Sequence, residues 1–151
     1  MHLRFCPAGD PAAHSRDIFK TGQARANTSI LMISDTAGND TIVAIATPPG
    51  KGAIGIVRLS GPHAMDIAGR MIRRPVQART AVLTSMIDDQ DRVLDQGLAI
   101  AFPAPGSYTG EDMVELHAHG SDMVLREMVR CATRLGARQA RPGEFTERAF
   151  L

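Results

Sequence analysis

The feature that most constrains the fold is a pair of strand-like runs joined by a short polar turn. Residues 79–87 read RTAVLTSMI and residues 93–102 read VLDQGLAIAF, and the acidic stretch DDQD lies between them. Both runs are apolar with β-branched residues, which favours strands, and a turn this short joins antiparallel neighbours. Two consecutive strands with no helix between them argue against a repeating βαβ fold.

The other periodic segments complete the pattern. Strands are predicted at TIVAIAT (41–47), AIGIVRLS (53–60), MVELHAH (113–119) and ARQAR (137–141). One helix is predicted to open at Gly61-Pro62 with the proline in its first turn, a second to run from an N-cap at Ser121 to Leu135, and a third to begin in the last eleven residues; the first two carry an apolar stripe near the 3.6-residue period. The stretch 102–112 is rich in Pro and Gly and is predicted to be a loop. We expect the last helix to be still running at Leu151. Hairpins mixed with helices predict an α+β fold, a mixed sheet with packed helices.

The N-terminal segment differs from the rest of the chain. Residues 1–39 show no sustained periodicity and are predicted to be a mostly disordered leader, and a start at Met32 would make the earlier part non-native. Residues 40–151 are predicted to be one folded domain. Seventeen basic and sixteen acidic side chains nearly cancel, so net charge does not indicate nucleic acid or membrane binding. Two isolated cysteines are typical of a reduced, intracellular protein.

Residues 47–55, TPPGKGAIG, contain the G-x-G-x-x-G spacing of a dinucleotide-binding turn. Such a site requires a helix after the glycines, because the helix N-terminus receives the pyrophosphate. Here the glycines lead into the β-branched run IVRLS, and neither the expected downstream acid nor a Gly-Lys-Ser/Thr follows. The glycines are therefore predicted to form a tight turn between two strands, with Gly55 allowing a close approach.

Arg58 stands in an otherwise apolar strand. Apolar residues occupy both faces of IGIVRL (54–59), which is typical of a strand covered on both sides. A buried guanidinium is costly unless it pairs with an acid or with a ligand anion. A structural ion pair, a strand-end position that reaches solvent and an anion contact all stay open from these residues.

Glu115 raises the same question in the strand MVELHAH. By the two-residue period of a strand, Glu115, His117 and His119 share one face. Carboxylate and imidazole suit zinc or iron, so a metal site is one interpretation, although no further ligand is evident. An ion pair between Glu115 and an arginine is the other.

Three longer segments carry a family resemblance. DTIVAIATPPGKGAIGIVRLSGP, DQGLAIAFPAPGSYTGEDMVELHAHG and GARQARPGEFTERAFL, in this order, resemble the N-terminal domain of the tRNA-modification GTPase family (MnmE/TrmE). The resemblance covers residues 40–151. It implies an α+β fold similar to the tetrahydrofolate-binding domains of aminomethyltransferase-like proteins.

The same resemblance implies a role. The family's N-terminal domain binds 5-formyl-tetrahydrofolate or a related folate and forms a homodimer. A helical domain follows it, and so does a GTPase domain that uses GTP, magnesium and potassium. The whole cytoplasmic protein works with an FAD-dependent subunit to modify carbon 5 of the wobble uridine of certain tRNAs. This chain would lack the GTP-binding domain and is not expected to hydrolyse GTP alone. A stand-alone aminomethyltransferase-like folate enzyme is the alternative.

Two folate contacts of the family map onto this chain. The arginine of the G-I-G-I-V-R strand, here A-I-G-I-V-R, falls on Arg58, and the second glutamate of T-G-E-D-x-x-E-L falls on Glu115. A carboxylate suits the adjacent N–H and amino groups of a pterin edge, and arginine suits a formyl oxygen or a tail carboxylate. The chain departs from the family's G-H-G-G at residues 118–121, and Leu151 precedes the lysine that is the family's remaining contact.

The arginines of the C-terminal third allow an RNA contact. Arg126, Arg130 and Arg134 are predicted to stripe one face of the helix that follows Ser121. Such a stripe is commonly a solvated face, and an RNA footprint is the alternative.

Overall fold

A computed structural model describes residues 39–50 and 52–151. The predicted disordered leader, residues 1–39, therefore lies outside the described residues except for its last position. Within the described ranges the chain forms six strands and three helices. In chain order they are β1 (Ile42–Ile45), β2 (Ile54–Ser60), α1 (Ala64–Ile72), β3 (Val82–Ile87), β4 (Val93–Phe102), β5 (Met113–His119), α2 (Asp122–Arg134), β6 (Arg138–Gln139) and α3 (Glu144–Ala149).

The six strands form one mixed sheet in the order β3-β4-β5-β2-β1-β6. The predicted β3–β4 hairpin is confirmed, and β1 and β2 are also antiparallel neighbours across the Pro/Gly turn. Among the pairings of these six described strands, only the short one between β6 and β1 is parallel. The α+β prediction with a mixed sheet and packed helices is confirmed.

Helices α1 and α2 cover one face of this sheet. The apolar stripes predicted for both helices are buried or partly buried, and they pack against alternate residues of the central strands β2 and β5. The fully buried side chains of this core include Val57, Leu59, Val114, Leu116, Ile67, Met71 and Met128. Cys131 of α2 lies in the same core. Burial raises the pKa of its thiol.

The opposite face of the sheet is only partly covered. We call this surface the open face; along β2 it presents Ile54, Ile56 and Arg58, of which Ile54 is 62% exposed and the other two are half-buried. The prediction that β2 is covered on both sides is therefore wrong. The apolar residues of β2 are explained instead by two different faces. One face packs tightly against the helices, and the other is exposed at Ile54 and becomes more buried toward Ser60.

Two helix boundaries need correction. Helix α1 begins at Ala64, three residues beyond Gly61, so the proline lies in the preceding turn. Helix α3 ends at Ala149 with Phe150 as its C-cap, so the expectation of a helix still running at Leu151 is wrong. The longest helix in the described ranges, α2, has 13 residues, and none of the helices there could cross a membrane.

Candidate functional site

Arg58 and Glu115 lie directly opposite each other on β2 and β5, the two central strands of the sheet. The Nε and Nη2 atoms of Arg58 both donate to Oε1 of Glu115, at 3.0 and 2.7 Å. Their side chains are 26% and 13% exposed. The two charges that the sequence left unexplained therefore form one ion pair on the open face, accessible from solvent at its edge.

The second oxygen of the Glu115 carboxylate is also occupied. Nε2 of His117 lies 3.0 Å from Oε2 of Glu115, because the two residues share one face of β5. Burial alone would raise the pKa of Glu115, but the hydrogen bonds from His117 and Arg58 outweigh it and lower that pKa. Glu115 is thus held as a carboxylate that accepts hydrogen bonds on both oxygens.

Two aromatic rings flank the Arg58 guanidinium. Its Cζ lies 5.5 Å from the ring centroid of Tyr108, in the loop before β5, and 5.8 Å from that of Phe145, on α3. Both distances are within the range of a cation–π contact. Tyr108 is 50% exposed, and its hydroxyl lies 3.2 Å from Oγ1 of Thr146. The loop and α3 therefore form an aromatic wall beside the ion pair, a feature that the sequence analysis missed because the contacts join distant segments.

The structure does not support the alternative of a metal site on β5, because His119 is not close to Glu115 and His117. His119 is exposed, and its Nδ1 lies 2.9 Å from Oδ1 of Asp95 on β4, away from the Glu115–His117 contact. Burial would raise the pKa of Asp95, but hydrogen bonds from His119 outweigh it and lower that pKa. Within residues 39–50 and 52–151 no group of three or more His, Cys, Asp or Glu side chains could hold a metal ion.

A buried charge network closes one end of the open face. Its centre is Arg148 of α3, whose Nη1 contacts both Glu111 oxygens at 3.2 Å and whose Nη2 donates to Asp40 at 2.6 Å. Glu111 Oε2 also accepts from Ser60 at 2.7 Å. The neighbouring Asp112 also holds this loop, since its Oδ1 accepts from the backbone N–H of Ala104 at 2.9 Å. The structural role of Arg148 has no signal in the sequence, because its partner Asp40 is 108 positions away.

Glu144 joins the same network from the first turn of α3. It accepts hydrogen bonds from Arg138, from the backbone N–H of Arg141 and from Arg148. The Arg138 hydrogen bond is the largest influence, and together these contacts lower the pKa of Glu144 to about 2. The network fixes α3, and with it Phe145, against the sheet.

The glycine-rich turn has a packing role. A Cβ on Gly55 would lie 2.4 Å from Cδ1 of Leu125, so α2 can rest on β2 only because this residue has no side chain. The element after the turn is strand β2, which confirms the β-turn-β prediction. The predicted close approach is confirmed too, although a leucine side chain rather than backbone makes it.

The departure from the family's G-H-G-G leaves the turn after β5 intact. Ala118 is 3% exposed and packs in the core, so a methyl group is accommodated there. Gly120 is retained, and a Cβ on it would lie 2.1 Å from the carbonyl oxygen of Gly52. Ser121 is the N-cap residue of α2, as predicted, but its side chain makes no capping hydrogen bond.

The arginine stripe on α2 is matched by acids. Arg126 pairs with Asp122 at 3.6 Å, Arg130 with Glu127 at 3.1 Å, and Arg134 with Glu127 and with Asp89. The structure therefore favours the solvated-face interpretation over an RNA footprint on α2.

Comparison with known proteins identifies a family. The family described as GTP-binding protein TrmE N-terminus matches residues 41–151. The chain is 54% identical over 115 residues to a tRNA modification GTPase MnmE of Xanthomonas campestris pv. campestris (strain B100), covering 76% of this chain and 26% of that protein. It is 52% identical over 115 residues to the Pseudomonas aeruginosa (strain UCBPP-PA14) protein of the same name, covering 76% of this chain and 25% of that protein.

A third relative agrees. The tRNA modification GTPase MnmE of Nitrosomonas eutropha is 50% identical over 113 residues, covering 75% of this chain and 25% of that protein. The chain thus spans about a quarter of the length of the curated relatives it matches. The family match extends over all of β1 to α3 and includes the Arg58–Glu115 pair and the aromatic wall. The chain therefore belongs to the family of TrmE N-terminal domains.

Proposed function

We propose that this chain is the folate-binding, dimer-forming N-terminal domain of a tRNA-modification GTPase. In this proposal it binds 5-formyl-tetrahydrofolate or a related folate on the open face. With an FAD-dependent partner subunit, the whole cytoplasmic protein modifies carbon 5 of the wobble uridine of certain tRNAs. The finer fold assignment, to the tetrahydrofolate-binding domains of aminomethyltransferase-like proteins, belongs to the same proposal.

The observation that carries the folate proposal is the Arg58–Glu115 pair, accessible at its edge and placed beside two aromatic rings. A pterin is a flat heterocycle with an N–H and an amino group side by side. Glu115 offers a carboxylate held in its charged form, which accepts such a pair of donors as charge-assisted hydrogen bonds. Tyr108 and Phe145 offer apolar ring surface against which the flat pterin could pack. Their ring centroids lie 5.5 and 5.8 Å from Cζ of Arg58, so both rings are beside the ion pair.

Ligand binding would replace contacts that the protein now makes with itself. Oε1 of Glu115 receives two donors from Arg58, and Oε2 is in contact with His117. A pterin edge would take over Glu115, and Arg58 would turn toward a formyl oxygen or a tail carboxylate. The exchange keeps a hydrogen-bond partner for each charge, so neither buried charge is left unsatisfied, which would be costly.

The open face also supports the dimer proposal. Three of its apolar side chains are exposed, Ile54 at 62%, Leu83 at 65% and Leu98 at 37%. The strand register places Leu83 opposite Leu98 and Leu98 opposite His117, so these side chains share the face that bears the ion pair. A second copy packed on this face would remove apolar area from water close to the folate position.

GTP hydrolysis, with its magnesium and potassium, is proposed for the part of the protein beyond this chain. The expected result is that this chain alone releases no phosphate from GTP. Nothing in the site favours the alternative of a stand-alone aminomethyltransferase-like enzyme, since the loop acids Glu111 and Asp112 are engaged in structural hydrogen bonds.

The folate proposal is tested by titrating the chain with 5-formyl-tetrahydrofolate in a calorimeter. We expect Arg58→Ala and Glu115→Ala each to weaken binding by about tenfold or more, because each leaves a charged partner unpaired. A matched control is the exposed Arg130–Glu127 pair of α2. Arg130→Ala and Glu127→Ala make the same chemical changes and should leave affinity unaltered. Equal affinity for wild-type, R58A and E115A would refute the site.

A further inference from the structure

Most arginines of the described chain have acidic partners. Twelve arginines lie in residues 39–50 and 52–151, and nine of them form ion pairs with Asp or Glu side chains. The three that form no ion pair with a described residue are Arg70, Arg74 and Arg79. These three fall within a stretch of ten residues, so unpaired positive charge is concentrated at one place.

The sequence around them carries no acid. Residues 67–87 include four arginines and neither Asp nor Glu, although the whole chain has 16 acids against 17 basic residues. The fourth arginine, Arg73, is the C-cap of α1 and pairs with Asp91 across the β3–β4 turn. The near-neutral total charge therefore hides a basic segment that runs from the last turn of α1 into β3.

The structure presents this segment at a groove. Arg70 and Arg74 are exposed and line a groove of about 800 Å³ together with Met65, Val76 and Pro103. Arg79 follows the groove-lining Ala78, and its Nη2 donates to the carbonyl oxygen of Gly106 at 2.9 Å. Asp66 and Asp112 also line the groove, but neither forms an ion pair with these arginines. This groove is a separate site, since neither Arg58 nor Glu115 lines it.

We propose that Arg70, Arg74 and Arg79, the basic rim, are a contact site for the phosphate backbone of RNA. The inference rests on the proposed function, in which the protein acts on tRNA. The relatives are named tRNA modification GTPases, so tRNA is the class of partner that their names state. Guanidinium groups bind phosphates through paired, charge-assisted hydrogen bonds. The three rim arginines have no carboxylate partner among the described residues, so they give up no ion pair there when they bind phosphate.

The chemistry of the rim indicates positioning rather than sequence reading. None of the described residues that line the groove is aromatic, so bases have no ring among them on which to stack. Contacts to phosphate fix the orientation of an RNA but carry no sequence information directly. Binding at this rim should therefore be sequence-tolerant and strongly weakened by salt, because each phosphate contact releases condensed counterions.

The test uses the 151-residue chain and a fluorescently labelled tRNA transcript, with binding followed by anisotropy from 50 to 200 mM salt. The variant is Arg70→Gln/Arg74→Gln. The matched control is Arg126→Gln/Arg130→Gln, which removes the same charge from the paired stripe of α2. We expect the rim variant to lose about tenfold in affinity at 100 mM salt and to lower the salt slope by about 2, one for each contact. The control should change both quantities much less.

Three results would overturn the inference. One is an equal loss of tRNA affinity in the rim variant and the control, which would show that binding depends on net charge and not on the rim. Another is the absence of RNA binding by the wild-type chain at 50 mM salt. The third is displacement of the RNA by poly-glutamate as effectively as by unlabelled RNA, which would indicate docking of an acidic protein segment. The folate titration of R58A and E115A uses other variants and another ligand, so failure of the proposed function and failure of this inference are distinguishable.

Discussion

Replacing Glu144 by glutamine should reveal how strongly the charge network at the end of the sheet stabilises the fold. The Glu144 side chain is 4% exposed and accepts hydrogen bonds from three residues, with Arg138 the largest influence on its pKa. That pKa is lowered from an ordinary value of 4.5 to about 2 in the folded protein. At about 1.36 kcal/mol for each unit, ionised Glu144 stabilises the folded state by about 3 kcal/mol at pH 7.

The pH dependence follows from the direction of that shift. Because the folded pKa lies below the unfolded one, the stabilisation is fully present above about pH 4.5 and is lost as the pH falls toward 2. The linkage relation leaves about 1.5 kcal/mol at pH 3. Glutamine keeps the shape but not the charge, so the difference between wild-type and E144Q should shrink over the same range. Using the difference cancels the other network carboxylates, such as Asp40, whose pKa is also lowered.

The assay is urea unfolding followed by far-ultraviolet circular dichroism at pH 7, 5 and 3. The matched control is Glu147→Gln on the same helix, since Glu147 is 56% exposed and its one ion pair with a described residue is that with Arg141 at 3.1 Å. An exposed pair of this kind contributes about 1 kcal/mol or less. A loss for E144Q that is independent of pH, or no larger than the loss for the control, would refute the reasoning.

Three further predictions concern Leu125 and the glycines beside α2. Gly55→Ala should destabilise the domain by about 1–3 kcal/mol in urea unfolding, because its Cβ overlaps the buried Leu125 side chain. Leu125→Ala should cost about 2–5 kcal/mol alone, and the double variant should cost less than the sum; strict additivity would show that the two positions are not coupled. Gly120→Ala should lower the melting temperature more than Gly55→Ala, since its Cβ meets the rigid carbonyl of Gly52 at 2.1 Å rather than a side chain. An equal or smaller shift would mean that this turn adapts.

Local patterns predicted most of the elements because their signals are short-range. Strands β4 and β5 match their predicted bounds, since alternating apolar residues lie between strong turn signals on both sides. The turn after β1 was interpreted correctly from the β-branched run that follows its glycines. The prediction that β2 is covered on both faces failed because apolar side chains are compatible with a covered face but do not show that another element packs on it.

Only part of the candidate site could be predicted from the sequence. Arg58 and Glu115 stood out singly, because a charge in an apolar strand demands a partner. Residue spacing could not show that they are each other's partner, since they are 57 positions apart and meet through the β2–β5 register. The same holds for Tyr108 and Phe145, which are brought to Arg58 from a loop and from α3.

The sequence by itself determined the strands, the helices, the family and the two charges that need explanation. These follow from side-chain period, turn chemistry and motif, all of which act over a few residues. Only the tertiary structure decided which charges neutralise each other. Within the described residues, the arginines of α2 pair with acidic side chains and those of the basic rim do not. The sequence alone does not distinguish the two groups, since both are arginines at helical or near-helical spacing. The physical reason is that electrostatic interactions depend on distance in space, and that distance is set by how the chain packs, not by the order of its residues.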